Sequence, residues 1–175
     1  MTKSSLQQII KDEQKILDIL QKNANESIDA IAKKCGFSRQ KVWRIVKKLE
    51  KDKTIWGYTA ICDDEPLHLK QFTMLVKRTT LPLDKKVLSE ILNARLENIS
   101  PDDFVQIENI EYVHGLFDWM VTFRADSLIT AKRYCERFKE HYSGQIAKID
   151  LLESILTVRK QTLRNPRIKE QIKFI

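Results

Sequence analysis

Between Lys33 and Lys53 the chain places nine basic residues (Lys33, Lys34, Arg39, Lys41, Arg44, Lys47, Lys48, Lys51, Lys53) against only Glu50 and Asp52. That segment, about one-eighth of 175 residues, carries as much net charge as the whole chain, +7. Residue type sharpens the signal. The guanidinium forks of Arg39 and Arg44 and the paired donor and acceptor of Gln40 can each make two-point hydrogen bonds to the edge of a planar base. Lys41, Lys47 and Lys48 bring charge without that geometry and suit phosphate oxygens. Ser38 can donate its hydroxyl to a phosphate or cap a helix. Trp43 can stack on a sugar, meet a thymine methyl or cover a helix junction. The alternative is an ordinary solvated face, which requires interleaved acids; none stands four positions away until Asp52. The pattern therefore points to a polyanion partner.

Three short helices must position these residues. Asp12 to Leu20, "DEQKILDIL", sets Ile16, Leu17 and Leu20 on one face, with Asp12 and Glu13 at the positive end of the helix dipole. "NANE" interrupts it. Ser27 caps a second helix that buries Ile28, Ile31, Ala32 and Cys35 and stops at Gly36, where a left-handed residue costs least. Ser38 caps a third helix, whose inner stripe is Val42, Ile45, Val46 and Leu49. Arg39, Gln40, Trp43, Arg44, Lys47 and Lys48 lie off that stripe. A turn of only Gly36-Phe37 forces a steep crossing, which is a helix-turn-helix. "TIWGYTAI", residues 54–61, is β-branched and aromatic and reads as a hairpin or wing, with Trp56 packing. The acidic, proline-containing "CDDEPLHLK" reads as a linker over 62–70.

The second half changes pattern. Strands are expected over 72–79, 104–113 and 118–125, and the last within 146–160. Helices are expected over 83–96, with Val87, Leu88, Ile91 and Leu92 inward, and over 127–142, with Leu128, Ala131, Cys135, Phe138 and Tyr142 inward. This β-α-β-β-α-β order is the split βαβ, ferredoxin-like unit. Its helices cover one sheet face. The other face is not wholly polar, so a partner chain is expected there.

Other chemistry finds little support. Cys35, Cys62 and Cys135 make no C-x-x-C pair or zinc spacing and read as reduced thiols. His68, His114 and His141 are dispersed, with no convergent nucleophile or ligand set. No phosphate loop, nucleophile elbow or paired catalytic carboxylates stand out, so neither an enzyme nor a metal or cofactor site is expected. Nothing resembles a signal peptide or a membrane span, and the expected location is the cytoplasm.

In "KILDIL", "IAKKCGFS", "VWRIVKKLEKDKTIWGYTA" and "HGLFD" the chain resembles the Lrp/AsnC (leucine-responsive and asparagine) regulators, from about Glu13 to Thr162. The resemblance implies an α+β protein. A winged helix-turn-helix over 1–61 would bind double-stranded DNA. A linker over 62–70 would lead to a βαββαβ ferredoxin-like domain over 71–162, which dimerises through its sheets and can assemble to an octamer. An extension over 163–175 would follow. The family can hold an amino acid between dimers, which makes Gly115, Phe117 and Asp118 the candidate effector corner; the plainer reading is a tight β-turn with Asp118 bonded to its own backbone. Departures from the family are Asp52-Lys53 in place of a glycine turn, His114 and Leu116 beside Gly115, a long "ENISPDD" loop, and a tail whose Ile168, Ile172 and Ile175 suit an amphipathic helix. Two rivals share this architecture. A sirohaem-decarboxylase-like enzyme would hold tetrapyrrole carboxylates with histidines and cations of the second half, yet residues 54–158 are net acidic. An effector-sensing module that does not bind DNA would leave the charge of the third helix unexplained.

Overall fold

The computed structural model describes residues 3–82, 85–93 and 96–174. They fall into two compact units, 1–61 with 158–169, and 62–157 with 170–175.

The first unit is built from α1 (Lys3–Leu20), α2 (Ile28–Cys35) and α3 (Arg39–Lys51). α1 begins nine residues before the expected start at Asp12. No breaker interrupts "KSSLQQIIKDEQ", and Gln8 and Gln14 donate to Asp12 and Asp18 one turn on, at 2.8 and 2.7 Å. Asp12 and Glu13 are therefore mid-helix, outside the first turn where a dipole would favour them. Ile16, Ile31, Ala32, Val42 and Val46 form the core, with Ile19, Leu20, Ile28, Cys35, Phe37 and Ile45 packed around it. The serine caps form as expected: Ala30 N donates to Ser27 Oγ and Lys41 N to Ser38 Oγ, both at 3.2 Å. Gly36 takes the left-handed conformation at φ 69°, ψ 34°.

Residues 54–61 do not form the expected hairpin. They run without a ladder partner, entered through Lys53 at φ 59° and held by Ile55 N donating to Leu49 O at 3.1 Å. One β-prone run with an unsuitable Trp-Gly centre offers neither a two-residue hairpin turn nor a second strand. The unit's hairpin comes from farther along the chain, after the strands of the second unit: β5 (Arg159–Lys160) and β6 (Leu163–Arg164).

The second unit is an antiparallel four-stranded sheet of order β2-β3-β1-β4, from β1 (Lys70–Arg78), β2 (Val105–Tyr112), β3 (Trp119–Ala125) and β4 (Ile146–Glu153). α4 (Lys85–Asn93) and α5 (Leu128–His141) complete the expected βαββαβ order. Phe72, Met74 and Val76 of β1 and Trp119, Val121 and Phe123 of β3 alternate onto the buried face. Tyr134, Cys135, Phe138 and Tyr142 of α5 close over them. Leu88 and Leu92, expected inward, are 37% and 66% exposed, and Leu128 is also exposed. Ile91 is buried as expected, and Leu96 and Tyr134 join it in the core; the inner stripe of each helix is narrower than its apolar composition suggests. The opposite sheet face carries Leu75, Met120 and Leu152 among Thr73, Thr122 and Arg124. In the tail, α6 (Ile168–Gln171) is a single turn continued by a 3-10 turn over Ile172–Phe174; Ile175 lies outside the described residues.

Candidate nucleic-acid interface

α3 owes its placement to the turn before it. Phe37 N donates to Ala32 O at 2.9 Å, joining the Gly36 amide on the same carbonyl and closing the end of α2. Val42, Val46 and Leu49 then sink into the core and fix the rotation of α3. That rotation leaves Ser38, Arg39, Gln40, Trp43, Arg44, Lys47 and Lys48 exposed and Lys41 half-buried. Trp43 is 54% exposed and shares the face with Arg39, Gln40 and Arg44; it makes no ring contact among the described residues.

The structure divides these cations into two sets. Lys41 and Lys48 reach back to α1: Lys41 Nζ lies 2.5 Å from Asp12 Oδ2, and Lys48 Nζ donates to Glu13 Oε1 at 2.5 Å. Lys41 also sits 4.0 Å from the centre of the Phe37 ring, a cation–π contact inside the turn. The bond from Lys41 holds the Asp12 carboxyl below its ordinary range despite the opposing effect of burial. The Glu13 carboxylate raises the Lys48 ammonium. Lys47 pairs with Glu50 at 2.7 Å, and Tyr58 donates to the same carboxylate at 3.1 Å, so both contacts lower Glu50. Burial is the main cause of the raised Tyr58 phenol. The second set is freer. Arg39 approaches Asp29 at 3.5 Å with both side chains well exposed, and such pairs contribute little. Gln40 and Arg44 have no side-chain hydrogen bond or ion pair among the described residues. The acids of α1 were the signal that charge counting missed: they are distant in sequence and adjacent in space.

Gly115, Phe117 and Asp118 come together at the turn from β2 to β3. Arg78 N donates to Asp118 Oδ2 at 2.9 Å, and Lys77 Nζ lies 3.2 Å from the same oxygen. Those contacts, the Arg78 amide foremost, lower the carboxyl. Asp118 N donates to Val76 O at 2.9 Å, so the residue staples the turn to β1. Gly115, at φ 152°, has open space where a side chain would be. Among the described residues no group of three or more His, Cys, Asp or Glu side chains could hold a metal ion, and no helix is long and apolar enough to cross a membrane.

The chain thus joins a helix-turn-helix to a ferredoxin-like sheet domain. Residues 13–55 match the winged helix-turn-helix DNA-binding family. The chain is 25% identical over 127 residues to the uncharacterised HTH-type transcriptional regulator YugG of Bacillus subtilis, covering 72% of this chain and 73% of that protein. It is 31% identical over 110 residues to the leucine-responsive regulatory protein of Haemophilus influenzae, covering 63% of this chain and 62% of that one. The crystal structure of transcriptional regulator NMB0573 of Neisseria meningitidis, a complex with L-Met, shares the fold at TM-score 0.65 and 17% identity, covering 91% of this chain and 97% of that one. The chain is thus similar to transcriptional regulators of the Lrp/AsnC type.

Proposed function

We propose that this regulator binds double-stranded DNA in a sequence-dependent way, with α3 in the major groove. The supporting observation is the face of Arg39, Gln40, Trp43 and Arg44, exposed together on a helix whose rotation the core fixes. Arg39, Gln40 and Arg44 read base edges, and Trp43 meets a thymine methyl or a sugar. Ser38 uses its oxygen as the cap and keeps its hydroxyl proton for a phosphate. Lys47 contributes charge toward the backbone. Lys41 and Lys48 act through position: tied to Asp12 and Glu13, they brace α3 against α1.

A second copy covers the sheet face that carries Leu75, Met120 and Leu152, and the resulting dimer sets two copies of α3 in grooves about one helical turn or a multiple apart. Further assembly, to an octamer, is part of the same proposal. An amino acid is the proposed effector, as the L-Met complex of the Neisseria regulator and the name of the Haemophilus relative suggest by similarity. Gly115, Phe117 and Asp118 are its proposed corner. Both side-chain contacts of Asp118 use Oδ2, which leaves Oδ1 for an ammonium group. The effector acts by favouring one assembly over another. The DNA reading is tested by titrating the native chain and Arg39→Ala/Arg44→Ala against the DNA upstream of its own gene and against random DNA.

A further inference from the structure

The β5–β6 hairpin belongs to the same compact unit as α3. Thr162 Oγ1 donates to Gln21 O at 3.0 Å, just past the end of α1, and Asn165 N donates to Val158 O at 3.0 Å to close the hairpin. Its turn passes through Gln161 at φ 49°. A cleft of about 810 Å³ separates the hairpin from residues 54–61, lined by residues of both and by the end of α1. The hairpin is thus fastened to the helical head.

Its charge is unlike that of the rest of the head. Residues 158–169 hold Arg159, Lys160, Arg164, Arg167 and Lys169 and no acid. Within residues 1–61 acids are interspersed and several cations are paired, as in Lys34–Glu26, Lys41–Asp12, Lys47–Glu50 and Lys48–Glu13. Arg159 and Arg164 stand directly opposite each other across the hairpin, both exposed. Neither side chain has an ion pair or hydrogen bond among the described residues. Like charges facing across a ladder repel, and a two-residue ladder has little else to offset that cost. An anion between the two forks removes the repulsion, and a phosphodiester suits guanidinium geometry.

We propose that the β5–β6 hairpin is a second phosphate-gripping element of the DNA-binding head, with Arg159 and Arg164 holding the backbone of the duplex that α3 reads. It supplies from the far end of the chain the hairpin that residues 54–61 do not form. The inference rests on the DNA-binding reading above. A phosphate contact adds affinity without sequence preference, and it adds to the salt dependence by about 0.9 in log–log slope.

The test is a salt titration of full-length native chain, Arg159→Gln/Arg164→Gln and Arg159→Lys/Arg164→Lys on specific and random duplexes, with circular dichroism confirming equal folding. The glutamine pair is expected to flatten the slope by about 1.8 and to lower affinity for both duplexes alike, by up to about 60-fold near 0.1 M salt. The lysine pair is expected to keep most of the slope. An unchanged slope in the glutamine pair, while Arg39→Ala/Arg44→Ala loses its preference for the specific duplex, overturns the hairpin proposal and leaves the reading helix standing. Loss confined to the specific duplex overturns the assignment to phosphate. A native chain that binds neither duplex overturns both readings.

Discussion

Ile31→Ala tests how α3 is mounted. Ile31 is 0% exposed and packs with Ile16, Val42 and Val46. Truncating a buried isoleucine to alanine costs about 2–5 kcal/mol, because the cavity left behind collapses only in part. A unit of this size has about 4–11 kcal/mol in total at typical stability per residue. A mid-range loss of about 3 kcal/mol changes its folding equilibrium by about two orders of magnitude and lowers its melting temperature by about 12–24 °C. The two units offer separate probes. Ellipticity at 222 nm follows the helices, α1–α3 among them. Trp119, 2% exposed in the sheet domain, supplies the buried tryptophan signal, whereas Trp43 and Trp56 are already exposed. The variant is expected to show an early ellipticity transition while the Trp119 signal keeps its native midpoint. DNA binding should vanish between the two transitions. A shift below about 3 °C, or both probes moving together, would refute the separate helical core.

Two further outcomes follow from the sheet domain and the thiols. The Asp118 carboxyl is held below its ordinary value of 3.8, first by the Arg78 amide, so its stabilising contribution is present above that value and is lost as pH falls through the lower folded-state value. Asp118→Asn should therefore melt earlier than native protein at neutral pH, and the gap should close in acid; a gap independent of pH contradicts the ion's role. Thiol labelling should find exposed Cys62 first and half-buried Cys35 next, with Cys135, buried and pushed up to about 12, reacting only on unfolding. Mass spectrometry of timed alkylation checks the order, and early labelling of Cys135 contradicts the core around α5.

Local signals in the sequence were legible wherever a residue had one stereochemical job. Ser27, Gly36 and Ser38 mark the ends of α2 and α3, and the alternation over 72–76 and 119–123 marks the buried sheet face. What escaped depends on contacts between distant segments. The acids Asp12 and Glu13 look like helix-start residues until α1 is seen to begin at Lys3, and their partners are 29 and 35 positions away. Leu88, Leu92 and Leu128 are apolar residues with a helical period, yet the sheet accepts only one narrow stripe from each helix. The β5–β6 hairpin has two-residue strands and a Gln-Thr turn, too short for alternation and without Asn-Gly chemistry. The exposed face of α3 was legible because its apolar and polar positions separate within one helix.

The central claim is that the exposed face of α3 reads DNA. Its most direct measurement is the ratio of specific to random-DNA affinity for the native chain and for Arg39→Ala/Arg44→Ala, across a salt series. The account predicts a native affinity that falls steeply with salt, and a variant whose ratio collapses toward one because each lost two-point base contact removes about 1–3 kcal/mol of discrimination. A variant that keeps the native ratio would contradict it.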